Sequence, residues 1–284
     1  MIDLHIHTQF SDGKDSVEEV LKQAQNLALT AISITDHDNI EAYDVLSKPD
    51  IRALYTGKII PGVEISSLFN GTVVHILGYG VDIEKLKGRM KTIDGKMWAD
   101  FARNYLNGKL KKLGLATELK GQTWVGVLRE LIEIIETSGN PVLKSIDLTS
   151  VLGKSKIGML VWYHIYDKES PLYIDYTGFY VSSDEAIKII HDCGGIAVLA
   201  HPIGYGKYSD MVLNGLCGKV DGIECYHYTA ESSGDIDRLI SICKEKGLLV
   251  TGGTDYHGAQ YPFGYMQVPD TVLERLIASG VRTI

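Results

Sequence analysis

Short apolar runs alternate along this chain with longer segments in which apolar residues recur every three or four positions. In the opening run, "DLHIH", an extended backbone sends alternate residues to opposite faces, so His5 and His7 point the same way. The next segment, "SVEEVLKQAQNLALT", places Val17, Val20, Leu21, Ala24, Leu27 and Ala28 at helical spacing, and Ser16 with Glu19 has the spacing of a capping box. "AISITDHD" reads as a short buried strand with acids and histidine at its end, followed by the apolar "KIIPGVEIS" and "TVVHILGYG". The pattern then returns. "SSDEAIKIIHDCGG" is a helix closed by glycine that feeds the strand "IAVLAHP", then come "VDGIECYHY", the helix "IDRLISICKEKG" and a last strand in "LLVTGGTDYHG".

Strands alternating with helices predict parallel neighbours joined by crossovers. Seven strands are expected, beginning near Asp3, Ala31, Ile59, Val73, Ile196, Gly222 and Leu248. Ionisable residues gather where these runs end, which in a closed α/β barrel is the face that carries chemistry. The expected fold is therefore α/β, a distorted seven-stranded barrel, with an open doubly wound sheet as the alternative. Residues 96–178 break the rhythm. "TWVGVLRELIEIIETSGNP" is an amphipathic helix, "NYLNGKLKKLG" is basic, and "VWYHIYDKESPLYIDYTGFY" is dense in tyrosine. This stretch reads as an inserted, mainly helical cap, leaving 1–95 and 179–284 as the barrel.

Composition narrows the partners. The 284 residues are 45% hydrophobic and 23% charged with a formal net charge of −8, a balance that disfavours a surface built to grip long nucleic acid. Cys193, Cys217, Cys225 and Cys243 show no C-x-x-C spacing and are expected to be reduced, in a cytoplasmic protein. Asp3 and His5 come too early for a signal peptide, and no apolar stretch is long enough to span a membrane. Oligomeric state is not legible.

The residues collected at the strand ends are His5, His7, Asp12, Asp36, His37, Asp38, Glu64, His75, His201, Glu224, His227, Asp255 and His257. Imidazole mixed with carboxylate suits Zn, Mn or Fe rather than an all-oxygen calcium cage. No Gly-x-Ser-x-Gly elbow and no glycine-rich phosphate loop with a lysine occurs, which leaves metal-assisted hydrolysis.

In order along the chain, "DLHIHTQFSDG", "ITDHDNI", "PGVEIS", "VVHILGYGVD", "AVLAHP" and "GGTDYHG" resemble the motif series of the PHP family of metal-dependent phosphoesterases, over roughly residues 1–90 and 180–260. The resemblance implies a distorted seven-stranded barrel and two to three divalent ions (Mn, Zn or Fe, with Mg possible). By position it places His5, His7, Glu64 and Asp255 around one ion. Glu64 bridges to a second ion with His75 and His201, and Asp12, His37 and His257 hold a third. A metal-bound hydroxide would then attack phosphorus in line. "HILGYGVD" and the insertion look most like the subgroup acting on nucleoside 3′,5′-bisphosphates and short oligonucleotides. The chain departs from that subgroup where an Arg-Pro-His-type segment is replaced by "GKSKIGMLVWYH".

Beyond the ligands, Asp36 and Asp38 are expected to cap or to orient ligand histidines. His227 and Lys207 are candidate substrate contacts, Glu224 a weaker one, and His164 and His191 are expected to be solvated. Histidinol-phosphate phosphatase is the rival enzyme reading. A non-catalytic, metal-stabilised regulatory module is the rival of another kind, which lost ligands would favour; none is lost here.

Overall fold

The computed structural model describes residues 1–151, 154–258 and 262–284, and among them the strands pair into two sheets within a mixed α/β fold. In the first, β1 (Ile2–Ile6), β2 (Ala31–Ile34) and β3 (Lys58–Ile59) run parallel in that order. The second holds β4 (Gly62–Phe69), β5 (Thr72–Tyr79), β6 (Val181–Ser182), β7 (Ile196–Leu199), β8 (Gly222–Tyr226) and β9 (Leu249–Gly252), in the order β6-β4-β5-β7-β8-β9.

The sheets touch at both margins. Beyond β9, Tyr256 bridges to Ile6, and after β2 His37 bridges to Glu64 in β4. Backbone bonds from His7 N–H to the Tyr256 carbonyl (2.9 Å) and from Asp38 N–H to the Glu64 carbonyl (2.8 Å) tie these edges. The contacts are single bridges, so among the described residues the two sheets meet without a closed ladder, and the expected distorted seven-stranded barrel is not seen as one closed sheet.

The cause is local. Pro61 has no N–H to donate and separates the two-residue β3 from β4, so "KIIPGVEIS" supplies two strands rather than one. β4 and β5 are then joined by Asn70-Gly71, whose φ values of 50° and 80° are those of the two-residue turn that matches the twist of an antiparallel hairpin. The pair holds register from Phe69–Thr72 to Gly62–Tyr79, and β5 is also antiparallel to β7. The flanks β1-β2-β3 and β7-β8-β9 are parallel as expected, and the short β6 is parallel to β4.

Helix Val17–Asn26 buries Val17, Val20, Leu21 and Ala24 against the strands. Its capping box closes both ways: Glu19 N–H donates to Ser16 Oγ (3.2 Å) and Ser16 N–H to Glu19 Oε2 (2.8 Å). Leu27 lies beyond the last turn and is 44% exposed, so the apolar period runs one turn past the helix. A second apolar cluster is built from the intervening stretch: Trp98, Ala102, Leu106 and Leu110 of helix Gly95–Lys112 meet Val127, Leu128 and Leu131 of helix Trp124–Thr137, with Tyr176. Next, helix Lys156–Leu160 runs into a π-helical turn over Val161–Ile165, which carries Trp162. No helix among the described residues is long and apolar enough to cross a membrane.

Candidate metal centre

The centre lies where the two sheets meet, and the pleat of β1 begins it. His5 and His7 are fully buried on one face. Asp3, on that same face, fixes the approach of the segment after β9, because its carboxylate accepts Thr254 N–H (2.9 Å) and Thr254 O–H (2.6 Å). Contact there is so close that a Cβ on Gly253 would lie 2.4 Å from the His5 backbone nitrogen, so only glycine fits. This brings Asp255 beside both histidines, its Oδ1 at 3.3 Å from His5 Nε2 and 3.2 Å from His7 Nε2.

Glu64 is the hub. It is inside β4 rather than at a strand end, and in the hairpin register it is the diagonal, same-face neighbour of His75 in β5. Its Oε2 lies 3.1 Å from His5 Nε2, 3.2 Å from His7 Nε2 and 3.2 Å from His37 Nδ1. Its Oε1 lies 3.2 Å from His75 Nδ1 and 3.1 Å from His201 Nε2. One buried carboxylate thus divides its two oxygens between two sets of imidazoles.

A further group joins His7, Asp12, His37 and His257, with Asp12 Oδ1 3.1 Å from His257 Nε2. Among the described residues, ligand-type atoms also cluster as His5, His7, Glu64, Asp255 and as His37, Glu64, His75. Every ligand expected from the sequence is therefore brought into one centre, and His37 reaches Glu64 as well as the Asp12 group.

The donor set fits divalent transition-type ions. Among the described residues, His7 Nε2, Asp12 Oδ1, His37 Nδ1 and His75 Nδ1 are buried without a well-aligned hydrogen-bond partner, a costly arrangement unless a cation receives their lone pairs. The charge balance agrees. Burial pulls His37 down to about 3 and His201 to about 4, leaving both neutral and able to ligate. Burial would raise Glu64 and Asp255, but the surrounding histidines outweigh it and hold both well below the usual carboxylate range. Against the same burial, Asp12 and Asp255 lift His257 to about 10, and Glu224, Glu64 and Asp255 lift His5 well above its ordinary value. Protons on these two imidazoles neutralise the carboxylates where cations would otherwise do so.

Behind these side chains stand further buried acids. Glu224, fully buried, accepts His5 Nδ1–H at 2.8 Å and the His201 backbone N–H at 2.7 Å. Asp36 accepts Thr8 N–H (2.7 Å), Thr8 O–H (2.7 Å) and Ser11 O–H (2.5 Å), which orders the loop leading to Asp12. Asp38 accepts Ser66 N–H (3.0 Å), and burial raises it to about 7. Asp38, His201 and Asp255 all have positive φ (48°, 27° and 54°), a backbone conformation that L residues resist. Such strain, about 1–3 kcal/mol each, concentrates at functional sites.

The two candidate substrate contacts differ in place, His227 against the centre and Lys207 on the surface. His227 is 1% exposed, with Nδ1 2.8 Å from Thr229 Oγ1 and Nε2 3.4 Å from Asp255 Oδ2, so it backs Asp255. Lys207 is engaged by Asp167 (2.7 Å) and Glu169 (2.6 Å) on the surface. His191 pairs with Asp221 at 2.7 Å and is exposed as expected, whereas His164 bonds the Asp147 carbonyl at 2.9 Å and is half-buried.

A cavity of about 650 Å³ opens over the centre, bounded by Asp12, His37, His75, His201, Asp255 and His257 on one side. The insertion supplies the other wall, including Trp124, Ile157, Val161 and Trp162. The Trp162 ring stands edge-on to His75 and His201, each at 5.3 Å. Sequence reading passed over Lys154, which is 4% exposed with its ammonium 5.1 Å from the Trp162 ring centroid. A lysine in "GKSK", two residues from a second one, gives no local signal of burial.

Comparison with known proteins agrees with this geometry. The PHP domain model matches residues 3–105. The phosphoribosyl 1,2-cyclic phosphate 1,2-diphosphodiesterase of Eggerthella lenta is 27% identical across 90% of this chain and 94% of its own. The 5′-3′ exoribonuclease Rnm of Salmonella typhimurium is 26% identical over 90% of this chain and 84% of its own. The 3′,5′-nucleoside bisphosphate phosphatase of Chromobacterium violaceum is also 26% identical, over 90% and 87%. A solved amidohydrolase structure from Chromobacterium violaceum, with bound sulfate and no metal, shares the fold with a TM-score of 0.70 and 23% identity over 100% of this chain and 97% of that one. Residues 3–105 thus match the PHP domain, and over 90% of its length the chain resembles relatives named as a phosphodiesterase and a bisphosphate phosphatase.

Proposed function

We propose that this protein hydrolyses small phosphate esters, a nucleoside 3′,5′-bisphosphate or a short oligonucleotide, with two to three divalent ions (Mn, Zn or Fe, or Mg). His5, His7, Glu64 and Asp255 would hold one ion, and Glu64, His75 and His201 a second. Asp12, His37 and His257 would hold the third. The observation that supports this most is the division of Glu64, Oε2 toward His5 and His7 and Oε1 toward His75 and His201, because neighbouring cations need a carboxylate between them. Ions in such a site acidify water near neutrality and offset the charge that builds on a phosphoryl group.

The chain's own residues do the positioning. Glu224 keeps the His5 Nδ1 proton, so Nε2 faces Glu64 and Asp255. Asp36 holds the loop that presents Asp12, and Trp162 walls His75 and His201 from bulk water. We assign residues 96–178 as a cap that selects what enters, a reading supported by their separate apolar cluster and by Trp124, Ile157 and Trp162 in the cavity wall. Four buried cysteines present as free thiols support a reducing, cytoplasmic setting.

The substrate follows from charge and size. With a net charge of −8 and a cavity of about 650 Å³, the site offers no broad basic track and suits a ligand of a few phosphates. Phosphate release should be compared for adenosine 3′,5′-bisphosphate, 5′-phosphorylated dinucleotides, histidinol phosphate and a long RNA, each with Mn, Zn, Fe and Mg. Turnover of the small nucleotides supports the reading. Rapid, steeply salt-dependent degradation of the long RNA with the small esters untouched contradicts it.

A further inference from the structure

The chain has three tryptophans, and all three line the cavity over the metal centre. They come from separate elements: Trp98 from helix Gly95–Lys112, Trp124 from the first turn of helix Trp124–Thr137, and Trp162 from the π-helical turn. Trp98 is buried and meets Trp124 edge-on, so it buttresses that ring. Trp124, Trp162 and Ile157 are only half-buried, and each leaves apolar surface at the cavity wall.

Trp162 is held in one attitude. His75 and His201 stand edge-on to it at 5.3 Å, and Tyr166 and Tyr205 meet it the same way at 5.3 and 5.4 Å. The aromatic wall therefore begins directly beside two of the proposed metal ligands. A phosphate handled at the centre would carry its alcohol group along this wall.

Charge on the wall disfavours a second phosphate. Among the described residues, the lining supplied between β5 and β6 contains no lysine or arginine, and its one carboxylate is Asp94. That carboxylate is exposed and caps its helix, accepting Met97 N–H at 2.7 Å. The lysine of the lining, Lys14, comes instead from the loop after β1 that carries Asp12. A cavity with a polar end and an apolar, aromatic side suits a ligand built the same way. Flat bases stack on aromatic side chains with a gain of about ten-fold or more in affinity, whichever base it is.

We propose that the wall formed by Trp124 and Trp162 is a stacking site for the nucleobase of the substrate, and that the base, rather than a second phosphate, sets affinity. This rests on the phosphoesterase reading of the centre and deepens it: among small phosphate esters the site takes nucleotides, and one phosphate is enough. Trp98 backs the platform, and the edge contacts of Trp162 fix its angle to the centre.

The test begins with metal-loaded protein. KM and kcat are measured for adenosine 3′,5′-bisphosphate, for the adenosine 3′- and 5′-monophosphates, and for ribose 3- and 5-phosphate. At whichever position is cleaved, removing the base should raise KM about ten-fold or more, and removing the second phosphate should raise it less. Trp124→Leu keeps apolar bulk without the flat ring and should remove most of the base effect, whereas Trp124→Phe should keep most of it. A second phosphate that matters more than the base overturns the proposal. So does a base effect that Trp124→Leu leaves intact, or one that both variants lose equally.

Because all three tryptophans line the cavity, their fluorescence reports on it in protein stripped of metal. Excited where adenine does not absorb, it should be quenched saturably by adenosine, which carries no phosphate, and not by ribose. Trp124→Leu should weaken adenosine binding by about the factor it removes from the base effect. No quenching by adenosine, or equal binding by wild type and Trp124→Leu, contradicts the stacking site. If metal-loaded protein cleaves no phosphate ester, the phosphoesterase reading fails, and this titration still decides the role of the wall.

Discussion

Glu224 Oε1 receives the Nδ1 proton of His5 at 2.8 Å while its other oxygen receives the backbone N–H of His201 at 2.7 Å. One buried carboxylate therefore sets the tautomer of His5 on β1 and fixes the backbone of His201 after β7. Partners of this kind tune metal affinity by about 10–100-fold. Glu224→Gln, which keeps the shape and loses the charge, should weaken metal binding by about that factor in competition with a chelator, while the far-ultraviolet circular dichroism stays native. Unchanged affinity would assign Glu224 a packing role only.

The rim group allows a separate test. Asp12 and His257 have side chains about one-third exposed, whereas His5, His7 and Glu64 are sealed. His257→Ala should lower activity about 10-fold or more and empty its own site, yet leave the ions shared through Glu64 largely in place. Metal analysis of the purified variant checks this. Loss of all metal would show that the groups do not bind independently.

Burial lowers Lys154 to about 8 from its ordinary value of 10.5. Between those values the unfolded chain holds the proton and the folded protein does not, so stability rises with pH across that window. Below about 8 both states are charged and the penalty is fully present. The gain available over the window is on the order of 3 kcal/mol. In phosphate-free buffer, wild-type protein should therefore gain thermal stability from about pH 8 to pH 10 relative to Lys154→Met. Parallel melting curves for the two proteins would contradict this.

Gly253→Ala probes the seam between β9 and β1. The added carbon would sit 2.4 Å from the His5 nitrogen and 2.5 Å from its Cβ. Overpacking of this sort costs about 1–3 kcal/mol and displaces His5 from Asp255. A lower melting temperature and weaker metal binding should appear together. A variant that loses neither would show that the seam yields without moving the ligand.

Much of the centre was readable because its ligands lie in short motifs whose local geometry is simple. His5 and His7 share a strand face, and His37, His201, Asp255 and His257 follow strand ends. Pairing direction was harder. The Asn70-Gly71 turn makes β4 and β5 antiparallel, and that dipeptide was a legible hairpin signal that the α/β alternation overrode. Glu224 read as a weak substrate contact, since its bond to His5 spans 219 residues and leaves no trace in either motif. Lys207 read as a phosphate contact, but Asp167 and Glu169 from the insertion engage it. Lys154 was invisible for the same reason, because Trp162 and Tyr228 meet it only in three dimensions.

Glu64→Gln tests the central claim most directly, because the claim is that one carboxylate joins two metal positions of a phosphoesterase. Elemental analysis of wild-type protein should find more than one divalent transition metal per chain, together with phosphate release from small nucleotides. The variant should lose metal from both positions it bridges and fall in activity by at least about 100-fold. A variant that keeps its full metal content and its activity would contradict the account.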